Sequence, residues 1–273
     1  MTEQPNGQQC EIAWFSALCD DDYEFLGVPD PYLQSSWEHC RNIVMRAEEG
    51  GFDNILLPSG YQLGVDTTIF AAAVATQVKR IKLLWATRMG EDWPPQLARR
   101  IATLDRILGP NASGTGGRLN VNIISSDMPG EKIESGPRYR RGTEIMKIVR
   151  TLLNGEHLDF DGEFYKLKLD PPRITTLSGK CPPFYFGGLS HEARECAAEA
   201  ADVYLMWPDT MDKVRENIAD LKARAANYGR TLKFGYRVHV IVRETEDEAR
   251  QYADRLLSKL DDEAGRAIRE KSL

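Results

Sequence analysis

A chain of 273 residues, 42% hydrophobic and 28% charged, has the make-up of an ordinary soluble globular protein with a substantial core. Its formal charge of -6 and the lack of any basic run argue against nucleic acid or an anionic membrane as main partner. No apolar stretch approaches the roughly eighteen residues of a membrane span, and the polar residues 1–9 lack a signal-peptide core, so the expected location is the cytoplasm.

Short β-rich runs alternate with helical stretches along most of the chain. Strands are predicted over residues 12–16, 54–58, 81–87, 119–124, 184–186, 203–207 and 233–242. Trp37, Cys40, Ile43, Val44 and Ala47 fall on one helical face. A second helix runs through Leu97, Ile101 and Leu104 behind Pro94 and Pro95, where proline costs least. Others are predicted over 192–200, over 211–228 with Gly229 as the stop, and from Thr245, whose spacing to Glu248 is that of a capping box. Segment 109–117 reads as a flexible insertion. Within a second insertion, 158–180, Asp161-Gly162 turns a small hairpin.

Alternation of this kind makes a parallel sheet with helices outside, and strands apolar on both faces suit it. No GxGxxG motif follows the first strand, so a TIM-type (β/α)8 barrel is favoured over a Rossmann sheet, as one domain spanning 1–273. Seven strands are found where a closed barrel has eight. The expectation is therefore a barrel lacking its last strand–helix pair.

Three places carry candidate chemistry. In the strand 233–242, alternation puts Gly235, Arg237, His239 and Ile241 on the lumen face, and Tyr236, Val238, Val240 and Val242 on the helix-packed face. A buried guanidinium must be paired, and a histidine titrates near neutrality. That pattern fits a cation beside an acid/base group facing a ligand. It equally fits an Arg–carboxylate pair beside a hydrogen-bonded core histidine.

The run Phe186-Gly-Gly-Leu-Ser190 ends a strand and opens a helix, where free N–H groups can hold a phosphate; it also serves as a bare turn with Ser190 as cap. The run from Asn122 through Ser125 and Ser126 to Asp127 stands at a strand's carboxyl end, the face on which barrel sites lie. Trp207 either walls a pocket or plugs the rim. The Asp20-Asp21-Asp22 run reads as a solvated loop, and the five scattered cysteines as reduced structural thiols, so no metal is expected. No paired carboxylates stand at strand ends as a barrel glycosidase would need.

The stretches Ala98-Arg-Arg-Ile-Ala-Thr-Leu-Asp-Arg106, Gly117-Arg-Leu-Asn-Val-Asn122, Pro183-Phe-Tyr-Phe-Gly-Gly188, Ala201-Asp-Val-Tyr-Leu-Met-Trp207 and Phe234-Gly-Tyr-Arg-Val-His-Val-Ile-Val-Arg-Glu-Thr245 resemble the bacterial-luciferase-like flavin monooxygenases, in particular the alkanesulfonate branch. That resemblance implies an oxygenase using reduced FMN (FMNH2) and O2. A separate NAD(P)H-dependent FMN reductase would supply it, and the oxygenase would be a homo-oligomer. A flavin peroxide would attack a small organosulfonate, leading to sulfite and an aldehyde. By the same resemblance Arg237 stabilises anionic charge and His239 handles protons. Gly187, Gly188, Ser190 and Tyr139 hold the FMN phosphate, Asn122 and Ser125 line the flavin ring, and Trp207 lines the substrate pocket. The chain departs from that branch at 58–66, which has no cysteine, and at Glu134-Ser-Gly-Pro-Arg-Tyr139, which lacks a histidine and a glutamate. Two rival expectations share the fold: a deazaflavin-dependent oxidoreductase, and a flavin-binding homologue without activity.

Overall fold

A computed structural model describes residues 10–266 apart from 21, 29, 31, 62, 63, 127 and 264. The predicted residues 1–9, and Asp21 and Asp127 of the acidic and strand-end runs, thus lie outside the described residues. Seven strands form one parallel sheet in the order β1 (Ala13–Phe15), β2 (Asn54–Leu57), β3 (Lys82–Arg88), β4 (Leu119–Ile124), β7 (Phe184–Phe186), β8 (Val203–Met206) and β9 (Lys233–Tyr236). Between β4 and β7 the strands β5 (Leu158–Asp161) and β6 (Lys166–Leu169) make the antiparallel hairpin expected around Asp161-Gly162. Its loop is closed by the Gly162 N–H donating to the Tyr165 carbonyl at 2.9 Å.

Two-sided burial explains the apolar strands. Ile55, Leu57, Leu83, Trp85, Val121 and Phe184 face outward into the main core with the helices. Leu56, Leu84 and Ala86 form a second, inner cluster with Phe15, Ile124, Tyr185 and Leu205. Register aligns Ala86, Asn122, Tyr185 and Val203 across four strands of this inner wall.

The sheet is curled, as a barrel requires. The Arg237 guanidinium, just past β9, lies 5.3 Å from the ring centroid of Phe15 on β1, the strand at the opposite edge. Helix α7 (Glu246–Leu257) also spans the gap. The Leu26 N–H donates to the Leu256 carbonyl at 2.8 Å, and the Lys259 ammonium sits 3.6 Å over the Phe25 ring. The expected capping box of Thr245 and Glu248 opens this helix.

The last strand is shorter than expected. Pairing ends where the Arg237 N–H donates to the Met206 carbonyl at 3.0 Å. Strand β8 stops at Met206, and Pro208 beyond it has no N–H to offer. Residues 238–242 therefore leave the ladder. Val238, Val240 and Val242, expected against helices, are exposed.

Helix α1 (Trp37–Glu49) is tied to the start of β3 by one carboxylate. Glu48 accepts N–H bonds from Lys79 at 2.8 Å, Arg80 at 2.5 Å and Ile81 at 3.1 Å. Burial acts to raise this carboxyl, but the three donors and the charge of Arg118 outweigh it and hold it below the usual range. Its stabilisation is thus fully present above the unfolded carboxyl's pKa and is lost as pH falls through the lower folded value. Glu48→Gln should cost about 1 kcal/mol at neutral pH, the low end for a charge-assisted bond because the group is only partly buried. Urea unfolding should show the variant's deficit shrinking as pH falls through that folded value; a deficit independent of pH would assign it to packing.

Candidate active site at the strand ends

The inner wall is largely apolar, with Asn120 and Tyr185 toward its amino end, Asn122 partway along β4, and Arg88 at the carboxyl end of β3. At the lower end the hydroxyl of the half-buried Tyr185 donates to Glu11 at 3.4 Å, and the Asn120 amide donates to that hydroxyl at 3.4 Å. Burial, then the Glu11 charge, push the Tyr185 phenol well above its ordinary value, so it stays protonated. This polar layer lies toward the amino ends of the strands, opposite the carboxyl ends on which barrel sites lie.

Asn122 sits on this wall, half-buried, with no protein partner for its amide among the described residues. Ser125 does not share its surroundings. Its hydroxyl is buried without a partner and packs toward helix α4 (Ser135–Leu153), where a Cβ on Gly142 would lie 3.0 Å away. The neighbouring Ser126 instead accepts a 2.9 Å bond from Nε of Arg88, the last residue of β3. Arg88 was missed by sequence reasoning because the strand was expected to end at 87. Extending the Leu84–Ala86 alternation by one step would have placed it on the inner face.

The Gly187–Ser190 turn comes off β7 as expected. Ser190 caps α5 (His191–Ala200), accepting the Ala193 N–H at 3.1 Å. Both glycines are explained by crowding. A Cβ on Gly187 would lie 2.9 Å from the Leu205 carbonyl oxygen, and one on Gly188 would lie 2.6 Å from the Ala193 methyl. Tyr139 comes close here, its hydroxyl 3.6 Å from the same point at Gly188, and Tyr204 donates to the Gly188 carbonyl. The helix N-terminus is partly engaged: Glu192 takes its own N–H and the Ser190 hydroxyl, which hold its carboxyl below the usual range. A phosphate bound here would displace that carboxylate.

At the far edge, Arg237 stacks 4.3 Å over the ring of Trp207, which is 43% exposed just beyond β8. Arg237 therefore reaches the mouth as expected. His239 does not share the inner face with it; it is exposed in the segment that has left the sheet. Asp22 pairs with His39 of α1 at 2.8 Å and Asp20 accepts the Ser35 N–H at 2.7 Å, so both tie their loop to the start of that helix. Among the described residues no His, Cys, Asp and Glu side chains gather as a metal site. None of the five cysteines forms a disulfide, and Cys40 and Cys196 are buried.

A curled parallel α/β sheet with cationic and amide groups gathered at the carboxyl ends of its strands is the architecture of a barrel enzyme. The luciferase-like monooxygenase profile matches residues 25–272, and the chain belongs to that family. It is similar to a sulfoquinovose monooxygenase of Novosphingobium aromaticivorans, 91% identical over 97% of this chain and 74% of that protein. A sulfoquinovose monooxygenase of Agrobacterium fabrum is 50% identical over 96% of this chain and 67% of that protein. In fold it resembles a riboflavin lyase crystallised with modified FMN and riboflavin. That likeness has a TM-score of 0.81 and 17% identity, over 94% of this chain and 68% of the other.

Proposed function

We propose that the chain is the oxygenase of a two-component, reduced-FMN-dependent system acting on a sulfonate. Within the small organosulfonates expected, its named relatives point to sulfoquinovose. The observation that carries this reading is the Arg237 guanidinium held over Trp207 at the mouth, a fixed cation where an anionic substrate would enter.

The wall also suits a flavin. Asn122 offers an amide with no protein partner, which the polar edge of a planar ring would satisfy. Asn122 would hold that edge, and Gly187, Gly188, Ser190 and Tyr139 would hold the phosphate. Reduced FMN, when bound, supplies two electrons to dioxygen. In the balanced reaction one oxygen atom goes to the sulfonate-bearing carbon and the other leaves as water. The C–S bond then breaks with its electron pair on sulfur, giving sulfite and an aldehyde. Arg237 would hold the negative charge near that carbon, and the solvent-exposed His239 would pass protons to water. A separate NAD(P)H-dependent reductase would supply the reduced FMN.

The test is an anaerobic titration with reduced and oxidised FMN, followed by a sulfite-release assay on sulfoquinovose with a flavin reductase present. Tighter binding of the reduced form together with sulfite release supports the proposal. Failure to bind either form would sink it.

Among the described residues, no helix is long and apolar enough to cross a membrane.

A further inference from the structure

Arg88 is a buried cation at the mouth that the reading above leaves without a role. It shares the inner face of β3 with Leu84 and Ala86 and stands opposite Ile124 of β4. The residue is only 8% exposed. Nε donates to Ser126 at 2.9 Å, and Nη1 donates to Glu91 at 3.0 Å. The other terminal nitrogen, Nη2, has no partner among the described residues.

Stapling β3 to the loop after β4 accounts for two of the three nitrogens. A guanidinium fork held in place at two points, with one arm left over, is a preorganised donor. Asn122, on the neighbouring strand of the same wall, is a second donor without a partner. Asn122 pairs in register with Ala86, two residues before Arg88 on the same face, so the two donors stand near each other on this wall.

We propose that Arg88 is a cofactor-binding residue that donates a charge-assisted hydrogen bond to the pyrimidine edge of reduced flavin, and thereby favours the reduced over the oxidised form. This rests on the flavin reading given above. The chemistry of the ring makes the distinction: reduced flavin readily loses a proton from its pyrimidine side and spreads the charge onto the adjacent carbonyl, whereas the oxidised ring is neutral. A cation there stabilises the charged form selectively. A sulfonate is a poorer occupant. Glu91 already takes up part of the guanidinium's charge, and a single remaining arm satisfies one diffuse anionic edge better than three sulfonate oxygens. Arg237, at the exposed rim beside Trp207, is the better placed to receive the sulfonate.

The experiment compares the full chain with R88Q and R88K in anaerobic titrations of both FMN redox forms, with thermal unfolding measured alongside. In R88Q the Kd for reduced FMN should rise about tenfold, the scale of one charge-assisted bond, while that for oxidised FMN stays within about twofold. The potential of the bound couple should then fall by about 30 mV, the two-electron equivalent of a tenfold change. R88K, which keeps the charge and loses the fork, should show the same bias at about a third of the size. Equal weakening of both forms would make Arg88 a staple only and overturn the proposal. Unchanged flavin affinity with a raised KM for the sulfonate would overturn it in favour of substrate. Should R88Q fail to fold, the two affinities of R88K decide by the same criterion. Absence of flavin binding by the unaltered chain would sink the flavin reading and this inference together, an outcome visible before any variant is made.

Discussion

Replacing Arg237 by alanine should lower sulfite-forming turnover by a factor of about 10² to 10³, the usual cost of removing one preorganised charge-stabilising donor. FMN affinity should stay within about twofold. The separation follows from where the side chain stands. Arg237 lies beyond β9, stacked on Trp207 and reaching toward Phe15, with β8 between its strand and the one that leads into the Gly187–Ser190 turn. Its cation–π contacts with two rings help to fix the guanidinium's position. Arg237→Lys is the useful control, because lysine keeps the charge but loses the flat stacking surface. It should recover part of the turnover with a raised KM. Equal losses of turnover and FMN affinity in the alanine variant would show that Arg237 holds the mouth together and does not act on the reaction.

The histidine two residues later shows where alternation stops being a guide. Read as one long strand, residues 233–242 put Arg237 and His239 on the same wall. That inference needs a ladder partner at every step, and β8 runs out at Met206. Alternation therefore predicted the face of Arg237 and failed for His239. Arg88 repeats the lesson at the end of β3, where one residue of strand boundary decides whether the side chain is counted on the inner face. Ser125 is a different case: β4 ends at Ile124 as predicted, and the placing of Ser125 at the flavin came from family resemblance, whereas its hydroxyl packs toward α4.

The parallel sheet itself was legible because each of its strands is short, apolar and followed by a connection that could hold a helix. Two helices were not. Thr67–Ala75 is apolar on nearly every side and so shows little helical period. Its signal was the cap instead: Asp66 accepts the Ile69 N–H at 2.8 Å. Ser135–Leu153 opens on Gly136 and Pro137, which punctuate a sequence as a turn would. Tyr139, on the first turns of that helix, was reached through family resemblance, and the structure brings it beside Gly188.

Gly188→Ala should be the most damaging conservative change in the turn proposed to hold the phosphate, and it separates two reasons for a glycine there. The added methyl would sit 2.6 Å from the Ala193 methyl, closer than carbon atoms can approach. Helix α5 would have to retreat from β7, carrying the Ser190 cap with it. Overpacking of this kind costs about 1–3 kcal/mol, and FMN affinity should fall at least about tenfold, the equivalent of about 1.4 kcal/mol. The double variant Gly188→Ala with Ala193→Gly removes the steric conflict, at a helix-propensity cost of up to about 1 kcal/mol. Coupling between the two sites should therefore be favourable, and the double variant should be more stable than the sum of the singles allows. No coupling would mean that crowding is not why glycine stands there. Given coupling, FMN affinity decides the functional question. If it recovers with stability, Gly188 serves the cofactor only by letting α5 approach β7. If stability recovers and affinity does not, the missing side chain is itself needed for a phosphate to reach the backbone at the turn.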